Sequence, residues 1–167
     1  MKNVLMFAAI ALLVSCNSPE TASTPEDRSI GFNTELPELK WHLGTEDAVQ
    51  LVKDLDKLWA AENYEAMRPF LSDTAVCYFE DGRIANSGDE FIELLSADDD
   101  DSDVSWTFDY AFSVDLDPTR GGEHVQAGFT GTEIKEGVTT KKRYHESYYI
   151  VDGKIVMWSQ YSMAIKE

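Results

Sequence analysis

The C-terminal part of the chain alternates apolar and polar residues with a period of two, and this pattern constrains the fold more than any other. The alternation from Val104 to Asp115 predicts a long strand with one apolar face. The pairs Glu136-Gly137 and Asp152-Gly153 suit two-residue hairpin turns, and they separate further alternating segments. These segments predict three more strands, at about 123–134, 138–151 and 154–165. The pattern therefore predicts an antiparallel meander.

Hairpin turns fix the register of a sheet, and the register assigns each side chain to a face. Pairing Val151 with Lys154 and Lys135 with Val138 places the apolar residues of three strands together. That face would hold Val125, Ala127, Phe129, Tyr144, Glu146, Tyr148, Met157, Ser159 and Tyr161. The opposite face would hold His124, Gln126, Thr130, Arg143, His145, Ser147, Trp158 and Gln160.

Apolar residues at helical spacing precede the strands. Thr45 can cap a helix with an acidic first turn and an apolar face from Ala48 to Trp59. Asn63 can cap a shorter helix. A strand is predicted over Thr74–Glu80 and a third helix over Gly88–Leu95. Helices followed by a meander predict one α+β domain over residues 41–167.

Residues 1–15 are typical of a secretory signal peptide. Lys2 precedes an apolar run from Val4 to Val14, which is shorter than the roughly 20 residues of a spanning helix. The tetrad Leu13-Val14-Ser15-Cys16 resembles the lipobox of bacterial lipoproteins, in which the cysteine is acylated and becomes the N-terminus. An ordinary secreted protein or an uncleaved anchor is the alternative. We expect a lipid bilayer as the partner of Cys16 and a place in the cell envelope, facing the periplasm or the cell exterior.

Residues 16–40 are predicted to be the lipidated cysteine and a flexible tether, because they are rich in Ser, Thr, Pro and Glu. The net charge of -17 makes nucleic acid a poor partner. Once Cys16 carries lipid, only Cys77 remains, and its apolar flanks predict a packing residue.

The run from Asp98 to Asp103 invites a calcium interpretation, but it lacks the glycine and the distal glutamate of an EF-hand loop. The sequence shows no phosphate-binding loop, no Ser-His-Asp signature and no Cys or His cluster for zinc. We therefore predict neither a metal site nor a cofactor.

Two stretches carry a resemblance to a known family: Leu71-Ser72-Asp73-Thr74-Ala75-Val76, and the final hairpin Asp152-Gly153-Lys154-Ile155 with Tyr161 beyond it. With the order of helices and strands from Thr45 onward, they resemble the nuclear transport factor 2-like superfamily and its SnoaL-like branch. The resemblance implies N-terminal helices packed in a strongly curved antiparallel sheet, a cone with a pocket at its open end.

The resemblance also allows two enzymatic activities to be tested by position. Ketosteroid isomerases of this superfamily carry a general-base aspartate late in the first strand, and the best match here is Tyr78. Epoxide hydrolases carry an aspartate two residues after the final-strand tyrosine, and that position is Met163. The resemblance therefore implies the fold without supplying either catalytic residue.

Glu146 is the candidate catalytic residue, because the predicted register places it among aromatic and aliphatic side chains, where burial would raise its pKa. The alternative is a hydrated glutamate near the rim, or one paired with Lys142. The predicted ligand pocket comprises Trp59, Tyr78, Trp106, Tyr144, Tyr148, Ser159 and Tyr161.

Two classes of function remain open from the sequence. The domain is expected to bind a small, mostly apolar ligand or to mediate assembly, including a homodimer through the outer sheet face. The alternative is a SnoaL-like enzyme of the isomerase, cyclase or dehydratase type that uses Glu146 and the pocket tyrosines.

Overall fold

The computed structural model describes residues 29–97 and 103–166. The predicted signal peptide, Cys16 and the first part of the predicted tether lie outside these residues. So does the candidate calcium run, apart from the backbone of Asp103. Within the described ranges, no helix is both long enough and apolar enough to cross a bilayer.

The part of the chain that the structure describes contains three α-helices: α1 Glu46–Ala60, α2 Tyr64–Met67 and α3 Gly88–Ala97. Helix α1 begins as predicted, because the Thr45 hydroxyl accepts a hydrogen bond from the backbone N–H of Ala48 at 3.2 Å. Asn63 precedes α2, but its side chain makes no capping hydrogen bond. A 3₁₀ turn that contains Pro69 then leads into the sheet.

The strands of the described chain form one seven-stranded sheet in the order β1-β4-β5-β6-β7-β2-β3. Their bounds are β1 His42–Leu43, β2 Leu71–Tyr78, β3 Ile84–Ala85, β4 Asp103–Asp115, β5 Glu123–Lys135, β6 Val138–Val151 and β7 Lys154–Ala164. The predicted antiparallel meander is confirmed for β4 to β7. Both of its Gly-containing turns have positive φ at each central residue, as type I′ hairpins require.

One pairing departs from the wholly antiparallel sheet that the resemblance implied. Strand β2 runs parallel to β7, with Leu71 beside Ile155 and Tyr78 beside Ser159. The chain enters β2 at the end of the sheet where β7 begins, so the two strands must run the same way. The sheet is therefore mixed.

The sheet has an inner face, which packs against α1 and α3, and an outer face on the opposite side. Helices and inner strand positions together form the core. Its largest fully buried side chains are Trp158, Tyr148, Phe91, Leu55, Met67, Ile92, Ile155, Val52, Val125 and Cys77.

The predicted register of the last hairpin is correct near its turn and wrong beyond it. Ile150 pairs with Ile155 as expected, but Tyr149 pairs with Met157, so Val156 is an extra residue on β7. Such a bulge reverses the faces of every residue that follows it. Trp158 and Gln160 therefore lie on the inner face, and Ser159 and Tyr161 lie on the outer face.

A second bulge changes the faces of β4. Phe108 pairs with Phe129, whereas Tyr110 pairs with Gly128, which leaves Asp109 as the extra residue. Trp106 and Phe108 point inward as the alternation predicted. Beyond Asp109 the prediction is wrong, because Tyr110 and Phe112 lie on the outer face with half of their surface exposed.

Backbone pairing begins earlier in the chain than the expected start near Trp41. Ile30 and Trp41 exchange two backbone hydrogen bonds of 2.9 Å and form an isolated bridge. The Trp41 ring also packs edge-on against His124 of β5, with 5.3 Å between the ring centres. The last part of the predicted tether is therefore attached to the domain.

Candidate functional site

The carboxyl group of Glu146 lies in the interior with both oxygens engaged; the residue is 6% exposed. The Tyr148 hydroxyl and the Trp158 indole N–H donate to Oε2, the latter at 3.1 Å. The Gln160 amide donates to Oε1 at 2.9 Å. The arrangement is a carboxyl group enclosed by its donors.

The β7 bulge builds this arrangement. It sets Trp158 opposite Tyr148 and Gln160 opposite Glu146, so donors from two strands converge on one carboxyl group. Sequence reasoning placed Glu146 and Tyr148 correctly but assigned Trp158 and Gln160 to the opposite face. The signal that could have corrected this was Trp158 itself, because tryptophan is highly buried on average.

Burial raises the pKa of Glu146 above its ordinary value, because the apolar surroundings disfavour the charged form. The hydrogen bonds from Tyr148, Gln160 and Trp158 act in the opposite direction, and the nearby charge of Asp56 adds to the increase. Burial also raises the pKa of Tyr148, with Glu146 as the second cause. Both groups therefore hold their protons more strongly in the folded domain than in the unfolded chain.

An aromatic cluster fills the interior beside Glu146. The Trp158 ring lies 5.9 Å from that of Trp59 and 5.2 Å from those of Phe79 and Phe91. Trp59, a predicted pocket residue, is thus part of the packed interior.

A second carboxylate approaches the site from α1. The Trp106 indole N–H donates to Oδ1 of Asp56 at 2.8 Å, which ties β4 to the helix. Sequence reasoning missed Asp56. Its spacing of four residues from the buried Val52 was the available signal, because that spacing keeps both on one side of a helix.

A cleft of about 50 Å³ lies on the inner side of β4 to β6, lined by Val104, Gly131, Thr132, Glu133, Thr140, Lys142 and Tyr144. This volume suits a few water molecules, whereas pockets for drug-sized ligands occupy roughly 300–1,000 Å³. The Lys142 ammonium donates to Glu80 at 2.8 Å. The alternative of a Glu146–Lys142 ion pair is therefore wrong, because Lys142 pairs with Glu80 and Glu146 accepts from Tyr148, Trp158 and Gln160.

The structure brings only part of the predicted pocket together. Glu146 and Tyr148 are in contact. Trp59 packs against Trp158, which donates to Glu146, and Trp106 donates to Asp56, whose charge acts on Glu146. Tyr144 borders the cleft. Tyr78, Ser159 and Tyr161 lie on the outer face, where Tyr78 is 43% and Tyr161 65% exposed. As predicted, His124 and His145 share the outer face.

No group of three or more His, Cys, Asp or Glu residues within 29–97 and 103–166 could hold a metal ion. Cys77 is buried as expected, and burial raises the pKa of its thiol to about 12. A thiol of this kind is a poor nucleophile.

The outer face carries its own group of aromatic residues. Tyr110 and Phe112 stack with 6.4 Å between their ring centres. The His145 ring lies 2.9 Å from the Gln126 side-chain oxygen and borders the Tyr110 hydroxyl at 3.4 Å. Tyr161 pairs with His145 on the next strand.

No protein-family model matches the sequence, and no curated protein matches it. Solved structures do match. They include a LEH-like epoxide hydrolase of M. tuberculosis (16% identity, 71% of this chain and 84% of that chain, TM-score 0.58). A ketosteroid isomerase-like protein from Erwinia carotovora atroseptica matches at 13% identity over 73% of this chain and 100% of its own, with a TM-score of 0.58. The CaMKII hub of S. rosetta matches at 15% identity over 73% and 99%, also with a TM-score of 0.58.

These similarities, at low sequence identity, establish the fold. The domain has the α+β cone fold of nuclear transport factor 2-like proteins, as the resemblance implied.

Proposed function

We propose that the domain is a noncatalytic assembly module of the cell envelope, attached through a lipidated Cys16, and that two copies pair through their outer sheet faces. One observation carries this proposal: large apolar side chains stand exposed across neighbouring strands of that face. They are Tyr110 and Phe112 at 50%, Tyr161 at 65%, Met163 at 61%, Tyr78 at 43% and Met157 at 36% exposure.

The pairing of the strands places four of these side chains at the ends of two adjacent rows, with smaller or polar residues between them. Tyr110, Gly128, His145 and Tyr161 form one row across β4 to β7. The next row runs from Phe112 through Gln126, Ser147 and Ser159 to Tyr78. Exposed aromatic residues gathered on one face, with polar residues around them, are typical of interaction sites in proteins.

The charge distribution favours a second copy as the partner. The chain has a net charge of -17, yet the outer positions of β5 to β7 carry no Asp or Glu. Two copies can therefore bring β5 to β7 together without burying carboxylates against each other, which would be costly. On β4, the Asp109 carboxylate accepts from the Thr130 hydroxyl at 2.7 Å. One of the similar structures is named a hub, and an assembly role agrees with that name.

Sedimentation equilibrium of the Cys16→Ala chain tests the pairing. We expect a dimer that tightens as the salt concentration rises, because salt screens repulsion between two acidic copies. Tyr161→Ser should weaken the dimer about tenfold or more. Val138→Ser is the matched control, because Val138 is 62% exposed but lies at the β5–β6 turn. A monomer at high micromolar concentration would overturn the proposal.

Fractionation tests the anchor separately. The parent chain should partition with membranes, and Cys16→Ala should appear in the aqueous fraction, because the acylated cysteine supplies the attachment. Equal membrane association of the two chains would contradict lipidation at Cys16.

A small-molecule function is the second candidate, supported by the cleft beside Tyr144 and by the buried Glu146, whose pKa is raised by burial. A SnoaL-like enzyme would need this carboxyl group to reach its substrate, whereas three donors enclose it. We expect no turnover of cyclic ketones or epoxides. Turnover abolished by Glu146→Gln would reverse the ranking, and native mass spectrometry of the purified chain would reveal a copurifying ligand.

A further inference from the structure

We propose that the loop closed by Ile30 and Trp41, here called the N-terminal loop, inserts apolar side chains into the surface of the bilayer that holds the lipid anchor. The inference goes beyond the assembly role, and it rests on the proposed placement of the chain in the envelope. The partner of this loop is a lipid surface.

The N-terminal loop and the strand that follows it carry the largest apolar exposures of the described residues. Leu43 is 79%, Ile30 77% and Phe32 75% exposed, and the next large apolar residue is Tyr161 at 65%. Leu36, within the same loop, is 38% exposed. Isolated exposed apolar residues are ordinary, but their concentration in one short segment indicates a contact.

Hydrogen bonds hold this loop in shape. The bridge between Ile30 and Trp41 closes it, and the Lys40 ammonium donates to the Gly31 carbonyl at 2.9 Å. The Asn33 side chain accepts from the backbone N–H groups of Glu35 and Leu36 at 2.9 and 3.1 Å. Since the loop is already ordered, presenting Ile30 and Phe32 to a partner costs little conformational entropy.

The position of the loop in the chain supports the bilayer as its partner. Ile30 follows Cys16 by 14 residues in the sequence. A chain of that length reaches at most about 50 Å from the lipid, so the loop is the part of the described domain nearest to the anchor along the chain. The acylated cysteine and the apolar loop would then bind the same bilayer, and the loop would add buried apolar area to the attachment.

The charges define the kind of lipid. Glu35 and Glu38 lie within the loop, Lys40 is its only cation, and the whole chain carries -17. An anionic surface would repel such a protein, so a zwitterionic surface is the better partner.

The experiment uses the chain from residue 16 onward with Cys16→Ala, so that the loop acts without the predicted signal peptide and without the lipid anchor. A second change, Thr34→Cys, carries an environment-sensitive fluorophore in the loop, and the buried Cys77 remains unlabelled in the folded protein. The matched control is Glu136→Cys at the β5–β6 turn. The 13 residues of β5 separate that turn from the Trp41 contact, a distance of about 40 Å.

With phosphatidylcholine vesicles, we expect the emission from position 34 to shift to the blue and that from position 136 to stay unchanged. Added phosphatidylglycerol should reduce the shift, and Ile30→Ser with Phe32→Ser should reduce vesicle partitioning about tenfold or more. The absence of a shift overturns the proposal. So does a shift that grows with protein concentration without vesicles, because a second copy then covers the loop. Sedimentation and fractionation test pairing and lipidation independently of this result.

Discussion

The two faces of the same sheet use aromatic residues in opposite ways, and β5 shows the difference within four residues. On the inner side, Gly131 leaves room for the Tyr144 ring, since a β-carbon there would lie 2.7 Å from that ring. On the outer side, Gly128 leaves room for the Tyr110 ring, which stays half exposed. The inner rings build a core with Glu146 in it, whereas the outer rings are available for a partner. The type of residue therefore does not decide its role; the face does.

The largest expected effect comes from exchanging large aromatic residues for alanine on each face. Trp158→Ala should lower the free energy of unfolding by about 3–5 kcal/mol, because it leaves a cavity among Trp59, Phe79 and Phe91 and removes a donor from Glu146. Tyr161→Ala should change it by no more than about 0.5 kcal/mol, since Tyr161 is mostly exposed.

Urea denaturation of the Cys16→Ala chain at low protein concentration measures both values, because dilution removes the contribution of dimer formation. Equal losses for the two variants, or a larger loss for Tyr161→Ala, would show that β7 keeps the regular register without the bulge at Val156.

The positions of Trp158 and Tyr161 also show how much of the structure could be predicted from the sequence. Both Gly-containing turns, the meander and the Thr45 cap were predictable, because each depends on residues close together in the chain. The β5–β6 register was predictable from the turn at Glu136, and it placed Glu146 inside.

The faces of the remaining residues of β4 and β7 depended on two bulges, at Asp109 and Val156. Nothing local marks either as a bulge. Beyond Val156 the reversed faces bury Trp158, whereas beyond Asp109 they leave Tyr110 and Phe112 half exposed. The donors Trp158 and Gln160 and the exposed pair Tyr110 and Phe112 were therefore assigned to the wrong faces. The parallel pairing of β2 with β7 was missed for a similar reason, since their contacts join residues far apart in the sequence.

A smaller effect, of opposite sign, is expected for Glu146→Gln on the inner face. The folded pKa of Glu146 is raised by burial, so the unfolded chain releases this proton first as the pH rises. The domain then loses stability as the pH rises from the unfolded pKa of about 4.3 through the folded pKa. The glutamine variant avoids this loss and should be more stable at pH 7 by about 1 kcal/mol.

Unfolding curves from pH 4 to pH 8 check this prediction, and the advantage of the variant should shrink towards pH 4. A glutamine can still accept from Tyr148 and Trp158, and the Gln160 amide can turn to accept from it. A variant less stable than the parent at pH 7 would mean that Glu146 is ionised in the folded domain and that its three donors outweigh burial.

The smallest expected effect concerns the part of the outer face that the N-terminal loop covers. His124 stacks on Tyr149 with 4.5 Å between ring centres and meets the edge of Trp41. Burial lowers the pKa of His124, although the charge of Asp115 acts in the opposite direction. In this corner of the outer face, aromatic rings are packed together and partly buried, as they are on the inner face.

As the pH falls below about 6.5, the unfolded chain takes up a proton at this histidine before the folded domain does, so the domain loses stability towards the lower folded pKa. His124→Gln should remove about 0.5–1 kcal/mol of the loss between pH 7.5 and pH 5.5. Trp41→Ala should also reduce this pH-dependent loss of stability, although the histidine is still present, because the substitution exposes the His124 ring to water. Thermal unfolding of the three chains at both pH values measures the difference. If Trp41→Ala keeps the full pH dependence of the parent, Trp41 does not shield His124 from water, and this part of the outer face is exposed to solvent.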